Sequence, residues 1–166
     1  MIYLDNAATT KTAPEVVDAM LPYFSEYFGN PSSIYALGAS SKKALNQARR
    51  TIAESLGAKA EEIYFTAGGS EADNWALKAA AESYGGAGGH IITTKIEHPA
   101  ILNTCHYLEE RGYTVTYLDV DGEGMVNPET VEQAIRSDTF LISIMMANNE
   151  IGTIEPIADR QNCQSP

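Results

Sequence analysis

Residues 91–100 read IITTKIEHPA, a β-branched run that passes through Glu97 and His98 into Pro99. Such a run suits a buried strand. Pro99 is placed to begin a helix, where its missing N–H costs nothing. A residue before proline is biased toward extended backbone, so His98 is expected to project from a strand-to-helix turn. The same alternation recurs on both sides. Upstream, an extended segment at 62–66 leads through Ala67-Gly68-Gly69 into a helical pattern at 70–83. Downstream come a helix at 99–111, a strand at 113–118, a helix at 128–135 and a strand at 139–145. Strands separated by helix-length crossovers predict an α/β fold, a three-layer αβα arrangement around a mostly parallel sheet.

Nearer the start, apolar residues at helical spacing cover 14–28, with Pro22 expected to bend that helix or end it early. Gly29-Asn30-Pro31-Ser32-Ser33 reads as a turn. A second helix, about 40–56, stops at Gly57. The glycine-rich loop 85–89 precedes a strand and does not open a helix, so it lacks the N-terminus of an anion site and reads as a flexible surface connection. No internal repeat is visible.

The chain has 166 residues, 44% of them hydrophobic, enough for a core of ordinary single-domain size. Its formal net charge of −11, from 22 acids against 11 bases, disfavours nucleic acid as a partner. The two cysteines, Cys105 and Cys163, lack CxxC spacing and read as free thiols, and no metal site is expected. No apolar run is long enough to cross a bilayer, and no secretory leader is recognisable, so a cytoplasmic protein with no membrane partner is expected.

The chemistry gathers at strand ends. After 62–66, the Gly68-Gly69 turn lets backbone approach a ligand, while Ser70 can cap the next helix and expose N–H groups that attract phosphate. Ser70-Glu71-Ala72-Asp73 equally fits a capping box with nothing bound. His98 reads either as a cap or surface histidine or as a ring facing a ligand. Asn148-Asn149-Glu150 follows the last strand, where asparagines are also ordinary turn formers. In an open parallel sheet, ligands bind beyond the carboxyl ends of the strands, and Ser70, His98 and Asn149 each lie just past such an end. A phosphate cradle, a flat imidazole and an amide together suit an aromatic phosphate ester.

Five segments carry a resemblance: Tyr3-Leu4-Asp5-Asn6-Ala7-Ala8-Thr9-Thr10, Phe28-Gly29-Asn30-Pro31-Ser32-Ser33, Phe65-Thr66-Ala67-Gly68-Gly69-Ser70-Glu71, Lys95-Ile96-Glu97-His98 and Asn148-Asn149-Glu150-Ile151-Gly152-Thr153. In this order and spacing the chain resembles the amino-terminal part of a cysteine desulfurase of the NifS/IscS type, in the class V aminotransferase-like, pyridoxal-phosphate-dependent fold type I group. The resemblance implies a partial large domain at 16–157, an amino-terminal segment 1–15 that belongs to the small domain, and a polar tail at 158–166 outside the family pattern. It implies that Gly69 and Ser70 bind the phosphate of pyridoxal 5'-phosphate and that His98 stacks on the pyridine ring and assists proton transfer. Asn149 would stand beside the phenolic oxygen and approach the substrate carboxylate, and Ala8 and Thr9, with Ala7, would pass near the substrate.

The family reaction converts L-cysteine to L-alanine and leaves sulfur on an enzyme cysteine, for an iron–sulfur scaffold or another sulfur acceptor, in a homodimer. The family's Schiff-base lysine and nucleophilic cysteine motifs are not among these residues. Lys11, Lys42, Lys43, Lys59, Lys78 and Lys95 stand in other contexts, and Cys163 reads as a tail residue. The chain is therefore expected to be truncated and inactive alone, with doubtful solubility as a monomer. The alternative is a non-catalytic remnant that binds a phosphate ligand or a partner. An unrelated doubly wound nucleotide-binding domain is disfavoured by the missing glycine fingerprint.

Overall fold

The computed structural model describes residues 2–86 and 88–157. The expected tail at 158–166, with Cys163, and Ala87 of the glycine-rich loop lie outside them. The chain divides into two compact units between Phe65 and Thr66.

The amino-terminal unit is helical: α1 (Pro14–Met20), α2 (Pro22–Ser25) and α3 (Ala36–Leu56), then a 3-10 turn at Ala60–Glu62. The expected helix at 14–28 breaks at Leu21 and ends by Ser25, because Pro22 has no N–H to continue the ladder. Helix α3 starts four residues before its expected boundary and stops at Gly57, which takes φ +67. Ala58 N–H then reaches Ala53 O at 2.9 Å and Gly57 N–H reaches Glu54 O at 3.3 Å, the paired bonds of a Schellman cap.

The strand expected at 62–66 does not form. Glu62 closes the 3-10 turn, and from Ile63 (φ −97, ψ 122) the chain is extended but joins no sheet among the described residues. A strand exists only through a partner ladder, and here the Ile63 carbonyl is taken by Arg49 Nε at 3.1 Å. The Arg49 guanidinium also lies 5.2 Å from the centre of the Phe65 ring.

The carboxyl-terminal unit carries α4 (Gly69–Tyr84), β1 (His90–Thr94), α5 (Pro99–Glu109), β2 (Thr114–Leu118), α6 (Pro128–Ala134) and β3 (Thr139–Ile142). The strands are parallel in the order β2-β1-β3. Every residue of β1 is buried, as expected for a central strand covered on both faces. Alternation divides its side chains. Ile91 packs with Leu77 and Ala81 of α4 and with Ile101, Cys105 and Leu108 of α5; Ile92 packs with Leu118, Val126 and Val131, the last from α6. These two cores make the three layers the sequence predicts. The last strand is shorter than expected, since ladder pairing with β1 stops at Ile142.

The glycine loop also departs from expectation. Gly85 and Gly89 are buried, and a Cβ on Gly85 would stand 2.6 Å from the Tyr113 ring and 2.9 Å from Phe140. The loop's two ends are thus packed under an aromatic pair. No helix among the described residues is long and apolar enough to cross a membrane.

Candidate functional site

Three segments of the carboxyl-terminal unit surround an open hollow of about 280 Å3 beyond the carboxyl ends of β1 and β3. Its walls are Asp73 of α4, then Glu97, His98 and Ile101 at the β1–α5 junction, and Ser143, Ile144 and Met145 after β3. A larger hollow of about 430 Å3 lies in the amino-terminal unit beside Arg49, whose guanidinium is already committed to Ile63 O and Asn46 Oδ1.

The α4 wall begins with the glycine turn. Gly68, not Ser70, is the N-cap, and no side chain caps the helix. The first ladder bond runs from Ala72 N–H to Gly68 O at 3.1 Å, so the amides of 69–71 precede the ladder. The acid that reaches back is Glu71, whose Oε2 accepts the Ala67 N–H at 2.6 Å, while Thr66 Oγ1 donates to Gly68 O at 3.1 Å. The capping box expected from Ser70 to Asp73 therefore does not form. Two glycines shift the helix start, and the exposed Ser70 hydroxyl makes no hydrogen bond among the described residues. A Cβ added at Gly68 or Gly69 would meet nothing within 4 Å, so the turn is open to an approaching ligand.

His98 is the N-cap of α5, with Pro99 at the first helical position as its sequence implies. Its Nδ1 accepts the Ala100 N–H at 3.1 Å. The capping alternative is thus realised, yet the ring stays exposed and lines the hollow. With Nδ1 accepting, the neutral ring carries its proton on Nε2.

Asn149 is exposed on the loop after β3, its Nδ2 donating to Glu150 Oε1 at 3.0 Å. Gly69 and Ser70 stand one turn before Asp73 on the same helix, and the Asn149 loop is bonded to the β1–α5 turn through Asn148 Nδ2 and Ile96 O at 3.0 Å. Of the expected residues, His98 alone lines the hollow; Gly69, Ser70 and Asn149 belong to elements that wall it. Ala8 and Thr9 are exposed in the amino-terminal unit, in a turn where both N–H groups point to Asp5 O at 3.2 and 3.4 Å.

Sequence reasoning missed two buried polar residues here. Glu97 is 6% exposed and its Oε1 accepts from Thr94 Oγ1 at 2.8 Å and from Met145 N–H at 2.9 Å. Burial pushes its carboxyl above the usual range, against the pull of those two hydrogen bonds, and the Glu155 and Asp73 carboxylates add to the rise. Asn148, 7% exposed, accepts the N–H groups of Glu150 and Ile151 at 2.8 and 3.0 Å. Nothing in the local sequence distinguishes Asn148 from Asn149 or marks Glu97 as buried.

The donor set suits an aromatic phosphate such as pyridoxal phosphate. Unladdered first-turn amides, a free hydroxyl and a turn without side chains fit a phosphate dianion, and an exposed imidazole offers a flat face and a proton-bearing nitrogen.

The sequence matches the aminotransferase class-V family over residues 2–163. It is 59% identical over 158 residues to the cysteine desulfurase IscS of Methanosarcina thermophila, covering 95% of this chain and 39% of that protein. Among solved structures, a NifS-like protein superposes with a TM-score of 0.93 at 41% identity, covering 98% of this chain and 44% of the other. The structure described as SspA in complex with cysteine gives a TM-score of 0.92 at 45% identity, covering 97% and 46%. The chain thus spans about two fifths of the length of the curated relatives it matches. With the family matched along nearly the whole sequence and a parallel three-layer unit superposing on its members, the chain belongs to the aminotransferase class-V family.

Proposed function

We propose that this chain carries the phosphate- and ring-facing part of a pyridoxal 5'-phosphate site in a cysteine desulfurase, an enzyme that takes L-cysteine to L-alanine and passes its sulfur to an enzyme cysteine. The observation that carries the reading is the uncommitted Ser70 hydroxyl on the first turn of α4, with His98 lining the hollow next to that helix. Gly69, Ser70 and the first-turn amides would hold the phosphate dianion by charge-assisted hydrogen bonds. His98, its Nδ1 held by Ala100, would keep its ring against the ligand and exchange a proton at Nε2. Asn149 would orient the substrate carboxylate, and Ala8 and Thr9, in the segment 1–15 assigned to a small domain, would approach the substrate.

Bound pyridoxal phosphate supplies the electron sink for bond cleavage at the substrate, which is chemistry no protein side chain provides. The lysine and thiolate that accompany it in the family are not among these residues. Lys95 pairs with Asp119 at 2.6 Å, and Lys78 donates to Asn74 Oδ1 at 2.8 Å. The second reading is a module that binds a phosphate ligand or a partner without catalysis of its own. A homodimer, an iron–sulfur scaffold or another sulfur acceptor, and a cytoplasmic setting belong to the same proposal for the whole protein.

Titration of the purified chain with pyridoxal phosphate, followed by borohydride reduction, tests the reading. Saturable binding without stoichiometric labelling of a single lysine is expected, with no alanine or sulfide from L-cysteine above free cofactor. Absence of saturable binding would remove the pyridoxal phosphate reading; labelling of one lysine would contradict the absence of an anchor.

A further inference from the structure

His98 and Asn149 each follow a buried polar residue, and those two residues tie their segments together. Glu97 Oε1 crosses to the Met145 N–H at 2.9 Å, and Asn148 Nδ2 crosses back to the Ile96 carbonyl at 3.0 Å. The β1–β3 ladder ends at Ile142, extended only by Ser143 N–H to Ile92 O at 2.9 Å. Past that point these side chains replace the ladder. Both also organise their own segments: Glu97 through Thr94 Oγ1 at 2.8 Å, Asn148 through the N–H groups of Glu150 and Ile151 at 2.8 and 3.0 Å. In each pair the first residue is buried and bonded while the second is exposed.

Burying a carboxylate is costly, and packing alone would be served as well by an apolar side chain. What an apolar side chain cannot do is hold the two loops in one register by directional bonds at both crossings. We infer that Glu97 and Asn148 are positioning residues, a two-point clasp that fixes the turn bearing His98 against the loop bearing Asn149. Its consequence for ligand binding rests on the pyridoxal phosphate reading; the clasp itself does not.

The full chain is compared with Glu97→Gln, which keeps an oxygen acceptor, Glu97→Ala, which does not, and Asn148→Asp, which keeps the acceptor for Glu150 and Ile151 but loses the donor to Ile96. Amide exchange by NMR reads the clasp without ligand. In Glu97→Ala the Glu150 and Ile151 amides, to which Glu97 makes no hydrogen bond, are expected to exchange about tenfold faster, while β1 amides are unchanged; in Asn148→Asp the Met145 amide accelerates as well, there with loss of the direct contact from Asn148 Nδ2 to Met145 Sδ at 3.4 Å. Affinity for pyridoxal 5'-phosphate itself is expected to fall about tenfold in both variants and to stay within about twofold in Glu97→Gln. Unchanged Glu150 and Ile151 exchange in Glu97→Ala, or wild-type affinity in a variant with a loosened loop, overturns the inference. Coupled exchange in a chain that does not bind pyridoxal phosphate supports the clasp and rejects the cofactor reading.

Discussion

His90 Nδ1 lies 2.7 Å from the hydroxyl of Thr139, which also accepts the Arg136 N–H at 2.8 Å, while His90 Nε2 lies 2.8 Å from Thr116 Oγ1. The imidazole thus links all three strands at the amino ends of the sheet, opposite the candidate site. Burial holds the His90 pKa below the usual imidazole range, Arg136 lowers it further, and Asp138 opposes.

The sign of the pH effect follows. Because the folded pKa is depressed, the unfolded chain binds a proton that the folded chain refuses. His90's contribution to stability is complete above about pH 6.5 and is lost as pH falls from there through the folded pKa, by at most about 1.4 kcal/mol per pH unit. Urea midpoints measured from pH 8 to 5 should fall in the native chain, and a large part of that slope should vanish in His90→Gln. An unchanged slope would contradict the assignment.

Cys105 is fully buried in the α4–α5 core, and burial pushes its thiol up to about 11, with the Glu109 and Glu97 carboxylates adding to the rise. So little thiolate forms near neutrality that this cysteine is not a sulfur-accepting nucleophile. Brief alkylation of the native chain at pH 8, followed by peptide mapping, should leave Cys105 unmodified until denaturant is added. Labelling at the denatured rate would refute this.

Gly69 and Ser70 separate ligand binding from folding. Gly69→Ala introduces no contact within 4 Å and should leave stability unchanged or raise it by up to about 1 kcal/mol, since alanine is the better helix former. Its methyl group narrows the proposed phosphate turn, and affinity for pyridoxal phosphate should fall. Ser70→Ala should cost roughly 1–2 kcal/mol of that affinity, one charge-assisted hydrogen bond, with little change in urea midpoint. Isothermal titration beside urea unfolding reads both, and native affinity in both variants would remove these residues from the site.

Gly85 makes the opposite prediction. Its φ of −74 suits any residue, but a Cβ there would stand 2.6 Å from Tyr113 and 2.7 Å from Ala81 O. Gly85→Ala should therefore destabilise the carboxyl-terminal unit by roughly 1–3 kcal/mol through overpacking. Thermal unfolding followed by circular dichroism measures it, and a neutral effect would mean that the Tyr113–Phe140 pair yields easily.

The amino-acid sequence by itself determined the α/β alternation, the helix start at Pro99 and the place of His98 beyond β1, because each rests on backbone preferences of a few neighbouring residues. The two faces of β1 were not legible in the run 91–94; packing against α4 and α5 on one side and α6 on the other assigned them. Only the tertiary structure decided that, among the described residues, 62–66 joins no ladder and the Ser70 hydroxyl makes no hydrogen bond, and that Glu97 and Asn148 are buried where Asn149 is not. Those outcomes depend on partners far along the chain: Glu97 meets Met145 across 48 positions and Asn148 meets Ile96 across 52. Burial and hydrogen-bond satisfaction are properties of a packed neighbourhood, so no local stretch of sequence contains them.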